Sequence, residues 1–444
     1  MSFCKVYVRG GQVEVFDPLF VKIFWVVSQS NFARTPPQAF ACPLADSFRL
    51  DRSVRFLNHW SFGAVPTPVR AAQLAILDEI EAQPVEMLVR KLPGRLAAVR
   101  ERLAAFLGTR PERLGLMTNA STGVGSVLRS IEWRRGDQIV VSNHGYNAVR
   151  QAVQAQSERF GCELVVVDIP LPIGAAEDAR SRFRDAINHR TRLVIVDHIT
   201  SPTALRLPVD EIAADCRAAG VLCLVDGAHA PGVLDLDIDR IDCDWYTGNL
   251  HKWVCAPRGC AFLAANPRVL SWTHPETTSH QHGQGLALEA DWQGTRDFSA
   301  WLSIPAALDF IASGGPAASS LARRNIALVR WAHEMLCDAW RVQPLSPLDG
   351  SMLGSMATVT APAGIRGAFA CASDFQAHLW GTHRIEVPVI DWGGRWHLRI
   401  SAQAYNTPND YLVLAGAVCA SAGGDIGGAV AAAPAPPAAA ARAC

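Results

Sequence analysis

Residues 224–259 read LVDGAHAPGVLDLDIDRIDCDWYTGNLHKWVCAPRG and contain the most specific pattern of the chain. An apolar run ends in Asp226, and a second strand-like segment, CDWYTGN, leads to Lys252. Lysine is rare in this chain, at positions 5, 22, 91 and 252, yet Lys252 stands among apolar and turn-forming residues. Because desolvation lowers the pKa of an amine, this setting suits a lysine that must be partly neutral to attack a carbonyl carbon.

Strands and helices alternate around this stretch. Near-continuous Val/Ile/Leu runs, typical of strands covered on both faces, lie at 113–117, 137–142, 162–169, 192–199, 221–228 and 259–265. Helix-like segments separate them at 120–132, 146–160, 177–188 and 208–219. The alternation predicts an α/β fold with a mostly parallel central sheet, right-handed crossovers and helices on both faces. Ligands of such sheets bind beyond the carboxyl ends of the strands, so the residues that follow each run are the functional candidates.

The pattern also divides the chain into four regions. Residues 1–47 have weak periodicity and are expected to form a poorly ordered extension. Residues 48–309 form the large domain, whose first segment is expected to contribute to the substrate site, and residues 310–422 form a smaller C-terminal α+β domain. Residues 423–444 are rich in Ala, Pro and Gly and cannot bury enough large side chains to offset chain entropy, so a disordered tail is predicted.

Composition argues against several classes of function. Lys+Arg and Asp+Glu both total 41, so no basic excess indicates a nucleic acid and no polybasic tract indicates a membrane surface. No apolar run reaches the roughly 18 residues of a membrane span, and the first residues do not read as a signal peptide. The 12 cysteines are scattered without a CxxC pair, which favours a reducing, cytoplasmic location over a disulfide framework.

The first strand end, TNASTGVGS, leads directly into a helix. The backbone N–H groups of Ala120, Ser121 and Thr122, together with two hydroxyls, could hold a phosphate at the positive end of that helix. Asn, Ser and Thr are also the preferred N-capping residues, so an ordinary helix cap explains the motif equally well.

Two further strand ends carry side chains suited to a flat, polar ligand. In the segment SNHGYNAVR, His144 or Tyr146 could stack on an aromatic ring. In DHITSPTALRLP, Thr200 and Ser201 could donate hydrogen bonds to a cofactor oxygen. Taken alone, a capped loop explains the first segment better, and a strand–helix turn explains the second equally well.

Asp226 and Lys252 together make the pattern specific. Asp226 ends a buried strand, where an unpaired carboxylate is costly, so it needs a cationic or hydrogen-bonding partner. A structural salt bridge would provide one, but an aspartate and a lysine at neighbouring strand ends are also what pyridoxal phosphate requires. The lysine forms a Schiff base with the aldehyde, and the aspartate keeps the pyridine nitrogen protonated so that the ring accepts electrons from a carbanion. With a hydroxyl-rich helix start for the phosphate, the sequence predicts a pyridoxal 5'-phosphate site.

These residues resemble a known family. DGAHAPG followed by GNLHKW is similar to the class V aminotransferases, which are fold type I pyridoxal-phosphate enzymes, and within that class to isopenicillin N epimerase-like proteins. The resemblance covers roughly residues 48–422. Its other motifs are FLNHWSFGAVP (56–66), TNASTGVGSVLRS (118–130), DHITSPTALRLPV (197–209), GTRDFSAWLS (294–303) and LRISAQAYNTPND (398–410). They are specific for the fold and the cofactor and much less specific for the reaction.

The resemblance implies a catalytic or substrate-binding role for five residues. Lys252 would bind the cofactor aldehyde and shuttle the proton, Asp226 would pair with the pyridine nitrogen, and His229 would lie near the phenolic oxygen. Arg399 would fix the α-carboxylate of a small-molecule amino-acid substrate, a task that suits its fork of N–H donors. Asn58 would lie on the substrate side.

The resemblance also implies contacts to the cofactor. Phosphate contacts are expected from Ala120, Ser121, Asn249 and His251. Ring contacts are expected from Tyr146, with His144 as the alternative, and from Thr200 or Ser201. Gly294 and Thr295 match a segment that reaches the cofactor phosphate of the neighbouring subunit, so a homodimer is implied. Trp60 stands where the family commonly has glycine, so the mouth of the pocket is expected to differ.

The reaction type stays open at this point. Return of the α-proton on the opposite face gives an epimerase, return at the cofactor gives a transaminase, and loss of a β-substituent gives a C–S lyase. A cysteine desulfurase would need a thiol on a mobile loop, for which Cys371 is a loosely suitable candidate, although a buried strand thiol is the expected interpretation. A binding protein without catalysis is disfavoured, because Lys252, Asp226 and Arg399 are all intact.

A histidine-rich segment, THPETTSHQHGQG, could suggest a metal. It contains His274, His280 and His282, but no cysteine or carboxylate pattern completes a tetrahedral site. An active-site loop is the expected interpretation, and no metal is predicted.

Overall fold

The structure, a computed structural model, describes residues 6–9, 12–15, 40–314 and 319–422. Most of the expected extension, and all of the expected tail at 423–444, lie outside these ranges. Val6–Arg9 (β1) and Gln12–Val15 (β2) pair as antiparallel strands, and Arg55–Phe56 (β3) follows. Phe40 is buried in the core of the C-terminal region, so the last residues of the extension pack against the fold. The domain boundaries drawn from the sequence remain predictions.

A seven-stranded sheet forms the centre of the molecule. Its strands are β4 (Leu114–Met117), β5 (Gln138–Ser142), β6 (Glu163–Val167), β7 (Thr191–Asp197), β8 (Leu222–Asp226), β9 (Trp245–Asn249) and β10 (Ala261–Ala265). Their order is β4-β10-β9-β8-β7-β5-β6. Every run predicted as a strand is a strand, and the segment CDWYTGN supplies β9. The predicted fold class, with its mostly parallel sheet, is confirmed.

One reversed strand brings the lysine segment to the expected edge of the sheet. β10 pairs antiparallel with both β4 and β9, whereas the pairings among β9, β8, β7, β5 and β6 are parallel. The first residue of β10, Ala261, therefore lies beside Asn249 and Met117, the last residues of β9 and β4. The connection that carries Lys252 consequently crosses the carboxyl edge of the sheet.

The expectation that all strands are covered on both faces is wrong for β6. Its middle residues are exposed or half-buried, and Val166 is 41% exposed. The reason is its position, because β6 is the edge strand and pairs with β5 alone within the described chain. The other six strands are almost wholly buried.

Helices cover the sheet. In the large domain they are α1 (His59–Phe62), α2 (Thr67–Ala82), α3 (Leu92–Leu107), α4 (Ala120–Ser130), α5 (Asn147–Phe160), α6 (Ala176–Ala186), α7 (Val209–Ala218), α8 (Ile238–Ile241), α9 (Pro267–Leu270), α10 (Leu286–Asp291), α11 (Ser299–Leu302) and α12 (Ile304–Ala312). Local chemistry sets several of their ends. The side chain of Asn119 caps α4 by accepting from the N–H of Thr122, and Gly161 ends α5 at a φ of 73°.

The C-terminal region is a smaller α+β unit, as predicted. It contains α13 (Ser319–Trp340), β11 (Met356–Thr360), α14 (Ile365–Ala368), α15 (Ala372–His383), β12 (Ile385–Glu386), β13 (Val389–Trp392), β14 (Arg395–Ser401) and α16 (Pro408–Ser421). β11, β14 and β13 form an antiparallel sheet, while β12 pairs with β3. The segment 55–57 is therefore held by the C-terminal unit. Because α1 begins at His59, directly after this segment, the pairing also positions α1 near the edge of the central sheet. None of the helices in the described ranges combines the length and the apolar composition of a membrane span.

Candidate active site

Lys252 lies in a tight turn between β9 and β10. The N–H of Leu250 donates to the carbonyl of Cys260, and the N–H of Ala256 donates back to the carbonyl of Leu250. Cys255 has a φ of 61°, a conformation that costs free energy for a residue with a side chain. The turn is thus fixed by hydrogen bonds, and it presents one amine at the carboxyl edge of the sheet.

The surroundings of Lys252 make its amine a better nucleophile. Nζ lies 3.2 Å from Nε2 of His229. Burial lowers the pKa of the amine to about 8; the negative charge of Asp226 opposes this shift and the positive charge of Arg399 adds to it. The neutral fraction at pH 7 is therefore about a tenth, several hundred times that of an ordinary lysine. The sequence-based interpretation of the apolar setting agrees with this electrostatic picture.

Asp226 is one of two buried acids at adjacent strand ends. It lies opposite Asp197 in the register of β7 and β8, and both side chains are almost fully buried. Burial raises the pKa of Asp226, against the effects of the Ala228 N–H and of Lys252. The pKa of Asp197 lies well above its usual range, first because of burial and then because of the charge on Asp226. The geometry therefore favours one negative charge, on Asp226, beside a protonated Asp197.

Sequence reasoning missed Asp197. It begins the motif DHITSPTALRLPV, in which the predicted ligand contacts were the hydroxyls of Thr200 and Ser201. The signal was available in principle, because two parallel strands that end in aspartate at neighbouring positions place those aspartates side by side.

His229 faces the amine from the loop after β8. It is buried, and its Nδ1 has no hydrogen-bond partner among the described residues. Burial, together with the nearby charges of Lys252 and Arg399, holds its pKa well below its usual range, so the ring is neutral. Trp60 packs on it with ring centroids 5.6 Å apart. A buried polar atom without a partner is costly, which indicates that a ligand group completes this contact.

The lysine turn is buttressed by α1, another feature that sequence reasoning missed. Nε2 of His59 donates to the carbonyl of Lys252 over 3.0 Å, and its Nδ1 accepts from the hydroxyl of Tyr405 over 2.8 Å. Burial lowers the pKa of His59 to about 4, so it acts as a neutral bridge. Gly63 then closes α1 at a φ of 66°, where an added Cβ would lie 2.0 Å from the carbonyl oxygen of His251. The motif NHWSFG therefore supports the lysine backbone through contacts that run across the sequence.

The start of α4 is only partly available for a phosphate. The N–H of Ala120 already donates to Oδ1 of Asn249 over 2.9 Å, and the N–H of Thr122 donates to the Asn119 cap. Ser121 is exposed, and neither its N–H nor its hydroxyl has a partner within the described chain. Of the residues predicted here, Ser121 is the one that offers free donors, while Asn249 holds the helix start against β9.

The two candidates for ring stacking occupy different environments. His144 is fully buried, donates from Nε2 to the carbonyl of Ile169 over 2.8 Å and accepts at Nδ1 from the hydroxyl of Thr203 over 2.7 Å. It also packs on Trp392, with ring centroids 4.7 Å apart. Tyr146 is 45% exposed at the start of α5. The geometry favours Tyr146 as the residue whose ring is accessible to a ligand. His144 belongs to the core.

A similar distinction separates Thr200 from Ser201. The hydroxyl of Thr200 is fully buried and bonded to the hydroxyl of Thr203 and to the N–H of Leu205, each over 2.8 Å. Ser201 is also buried, but its hydroxyl has no partner within the described chain. Ser201 is thus the better donor to a ligand, and Thr200 shapes the turn.

Arg399, in the middle of β14, is a buried cation without an acid. It is 3% exposed, its Nε has no hydrogen-bond partner, and it forms no salt bridge with the described residues. The indole of Trp60 lies against the guanidinium, with Cζ 3.0 Å from the ring centre. Because an unpaired buried charge is expensive, an anion such as a carboxylate would be stabilised at this position. The side chain of Asn58, by contrast, already has hydrogen-bond partners within the protein. It donates to Glu386 over 3.0 Å and accepts from Ser61 over 2.6 Å.

Two other predicted contacts lie at the periphery. His251 is partly exposed and donates from Nδ1 to the carbonyl of Cys260 over 3.0 Å, while burial lowers its pKa to about 4. Thr295 is exposed and follows Gly294, which has a φ of 115°.

The expectation that Cys371 is a buried strand thiol is wrong. Cys371 is the partly exposed N-cap of α15, and its sulfur lies 2.8 Å from the hydroxyl of Ser373.

These residues fit pyridoxal phosphate. Asp226 can hold a proton on a ring nitrogen, the unpartnered Nδ1 of His229 can face a ring oxygen, and Lys252 provides the amine. The N–H and hydroxyl of Ser121 can donate to the phosphate, and the guanidinium of Arg399 can bind a carboxylate. The unpartnered Nδ1 of His229 and Nε of Arg399 would thus each meet a group that the cofactor or an amino acid brings.

Comparison with known proteins agrees with the chemistry of the site. The family Aminotransferase class-V matches residues 79–366. Isopenicillin N epimerase of Streptomyces clavuligerus is 34% identical over 391 residues (84% of this chain, 96% of that protein), and L-cysteine desulfhydrase of Arabidopsis thaliana is 30% identical over 394 residues (82% and 86%).

Solved structures agree with the fold. A cysteine desulfurase from Thermococcus onnurineus superposes with a TM-score of 0.70 at 19% identity, covering 84% of this chain and 96% of that one. A cystine C–S lyase, in complex with its product cysteine persulfide, gives a TM-score of 0.68 at 22% identity, with 84% and 98% covered. The chain therefore belongs to the class V aminotransferases and is an enzyme of this pyridoxal-phosphate-dependent family.

Proposed function

We propose that this enzyme acts at the α-carbon of an amino acid or an amino-acid-containing compound, as an epimerase of the isopenicillin N epimerase type. The observation that carries the proposal is the pairing of a low-pKa lysine with a buried, unpaired arginine. The indole of Trp60 contacts both the Arg399 guanidinium and the His229 ring, and His229 lies 3.2 Å from the Lys252 amine, so Arg399 and Lys252 belong to one site. A substrate carboxylate held by Arg399 would therefore have its α-carbon within reach of the Lys252 amine. The relatives at 33% and 34% identity, both isopenicillin N epimerases, support the epimerase form of the proposal.

Each residue has a defined task. When bound, pyridoxal phosphate supplies an electron sink for the charge left on the α-carbon. Asp226 keeps a proton on the ring nitrogen, and Arg399 orients the substrate through two parallel hydrogen bonds. Lys252, once free of the cofactor, removes the α-proton as a general base, because part of its population is neutral near pH 7. His59 holds the lysine turn through its hydrogen bond to the Lys252 carbonyl, and Gly63 lets the end of α1 approach that turn closely.

A C–S lyase is the second candidate, and one residue favours it. The indole of Trp60 lies on both the Arg399 guanidinium and the His229 ring, so it fills space between the carboxylate site and the lysine. A large side chain at this point favours a small substrate such as cysteine over a bulky peptide-like one. L-cysteine desulfhydrases at 30% identity support this alternative. Cys371 gives no support to a desulfurase, because its thiol contacts Ser373 at a helix start.

A substrate panel in deuterium oxide distinguishes these reactions. Purified enzyme loaded with pyridoxal phosphate is incubated with amino acids, including cysteine and a peptide-linked α-amino acid. Deuterium incorporation with inversion and no keto acid supports epimerisation, whereas sulfide and pyruvate release from cysteine supports the lyase. Stoichiometric formation of a keto acid and pyridoxamine phosphate would indicate a transaminase. Absence of α-proton exchange with every substrate would contradict the proposal.

Neutralising Arg399 is expected to lower kcat/KM by on the order of 10²-fold or more, mainly through KM. In Arg399→Gln the substrate carboxylate enters a buried site without its charged partner, and Arg399→Lys should recover only part of the loss because the fork is missing. Arg395→Gln is the matched control, since Arg395 is exposed on the same strand. If kcat/KM fell equally in both glutamine variants, the assignment of Arg399 to the substrate site would be wrong.

Replacing Trp60 by glycine is expected to widen the range of substrates. In Trp60→Gly, kcat/KM for bulky amino acids should rise at least about fivefold relative to cysteine, because the indole no longer occupies the space beside Arg399. Trp60→Phe, which keeps a flat ring, should retain the original preference. Unchanged relative values in the glycine variant would show that Trp60 does not limit the pocket.

Reconstitution with the cofactor should depend on pH in a defined direction. The neutral amine of Lys252 is the reactive form, and its pKa of about 8 means that the neutral fraction rises as pH increases through that value. The rate at which cofactor-free enzyme binds pyridoxal phosphate covalently should therefore increase roughly tenfold from pH 6 to pH 7 and level off above pH 8 to 9. A rate that keeps rising tenfold per unit up to pH 10 would indicate an ordinary lysine.

We also infer that the active enzyme is a cytoplasmic homodimer. Thr295 is exposed beside Gly294, which leaves this segment open to a second subunit, as the resemblance implies. All cysteines in the described chain are free thiols, which suits a reducing compartment. Sedimentation of the holoenzyme at micromolar concentration tests the dimer, and a monomer that is fully active would contradict it.

A further inference from the structure

Three side chains converge where the histidine-rich segment meets α10. His274 and His282 belong to the segment, and Glu289 lies on the helix. Nδ1 of His274 is 2.9 Å from Oε2 of Glu289, and Nδ1 of His282 is 3.6 Å from the same oxygen. Taking one ligand atom from each residue, all three atoms lie within 4.8 Å of one another. Two imidazoles and a carboxylate are therefore arranged around one point.

The charge of Glu289 is not compensated by a permanent cation. Its side chain is only 4% exposed, and within the described chain its ion-pair partners are these two histidines, with no arginine or lysine. Buried carboxylates are normally paired with a cation or coordinate a metal. A histidine carries a positive charge only when it is protonated, so a divalent cation between the three groups would provide a fixed charge that the described residues around Glu289 do not.

The geometry suits coordination after small side-chain rotations. The N–H of Gly283 donates to Oε1 of Glu289 over 3.1 Å, which orients the carboxylate as an outer contact of a metal ligand does. Ligand atoms around a tetrahedral zinc ion are ~3.3 Å apart, between the separations seen here. His274 and His282 are 38% and 57% exposed at their side chains, so an ion can enter from solvent.

We propose that His274, His282 and Glu289 bind a divalent first-row transition metal of the zinc class. Imidazole ligands select such metals over magnesium and calcium, which prefer oxygen ligands. Water or the exposed His280 completes the coordination. The site lies outside the reacting groups, and the proposal does not depend on which reaction the enzyme performs.

The metal would fasten a turn that already packs on α4. The N–H of His274 donates to the hydroxyl of Ser130 over 2.9 Å, and the N–H of Glu276 donates to the hydroxyl of Ser126 over 3.1 Å. Fixing this turn would also fix the start of α10, which precedes Gly294 and Thr295 in sequence. The site is therefore structural, and its loss should loosen the turn.

Zinc binding to tag-free holoenzyme tests the site. The enzyme is dialysed against a chelator, checked for residual metal and retained cofactor, and titrated with Zn²⁺ by calorimetry and by competition with a chromogenic chelator. One ion per chain is expected to bind at low micromolar concentration or below, with Mg²⁺ giving no heat at the same site. Proteolysis between residues 274 and 285 should slow at least about threefold when Zn²⁺ is bound.

Matched variants separate this site from adventitious binding. His282→Ala and Glu289→Gln should each weaken Zn²⁺ binding at least about tenfold, whereas His189→Ala, at an exposed histidine elsewhere, should leave it unchanged. His282 is exposed, so its variant is expected to fold, and circular dichroism together with cofactor absorbance verifies this for both variants. Absence of stoichiometric binding, or binding that survives in folded His282→Ala, would overturn the proposal.

Discussion

Lys252→Ala is expected to lose turnover by on the order of 10⁴-fold or more and to lose the visible absorption of the lysine-bound cofactor. The reason is that one amine both holds the cofactor and moves the α-proton. Its Nζ lies 3.2 Å from His229, and burial lowers its pKa to about 8. The measurements are the absorption spectrum of enzyme incubated with pyridoxal phosphate and the initial rate of α-proton exchange.

The scarcity of lysine provides a clean control. Lys91, which is exposed just before α3, is the matched position, and Lys91→Ala should keep both the absorption and the activity. Reduction of the wild-type enzyme with borohydride followed by digestion should label the peptide that contains residue 252. A label that stays on another peptide, or absorption that persists in Lys252→Ala, would show that the attachment site is elsewhere. It would also weaken every role assigned to the neighbouring residues.

What the sequence could predict follows from local pattern. Apolar runs identified six of the seven strands of the central sheet and the segment CDWYTGN the seventh, and the carboxyl-edge rule then pointed to Asp226, Lys252 and the start of α4. These predictions succeed because a strand and the residue after it are linked by chain geometry alone. The same rule did not show that β10 runs antiparallel, although the 11 residues between β9 and β10 make a connection too short for the crossover that a parallel neighbour needs.

Contacts between residues far apart in the sequence could not be predicted from local patterns. His59 reaches the carbonyl of Lys252 across a separation of 193 residues, and Trp60 covers a guanidinium on β14. His144 and Tyr146 are two residues apart and equally aromatic in sequence, yet packing buries one and exposes the other. Glu289 was missed as a potential metal ligand for the same reason, since it lies beyond the histidine segment on a helix that turns back onto it.

Asp226→Asn is expected to lower kcat/KM by on the order of 10² to 10³-fold, or ~3 to 4 kcal/mol of transition-state stabilisation. The asparagine keeps the shape of the side chain but carries no charge to hold a proton on the ring nitrogen. Since the electron sink works only with that proton in place, the loss should fall on the chemical step rather than on cofactor binding. Single-turnover rates of α-proton removal, measured at saturating cofactor, separate the two.

Asp197→Asn provides the matched comparison on the adjacent strand. Burial and the negative charge on Asp226 hold the Asp197 carboxyl protonated, so an amide replaces a neutral group, and the rate should change by less than about threefold. The contrast tests how charge is divided within the pair, because each variant replaces one of the two buried carboxyl groups by an amide. If Asp197→Asn were as damaging as Asp226→Asn, the two acids would have to act as one shared charge on the ring, and the assignment of that charge to Asp226 would be wrong.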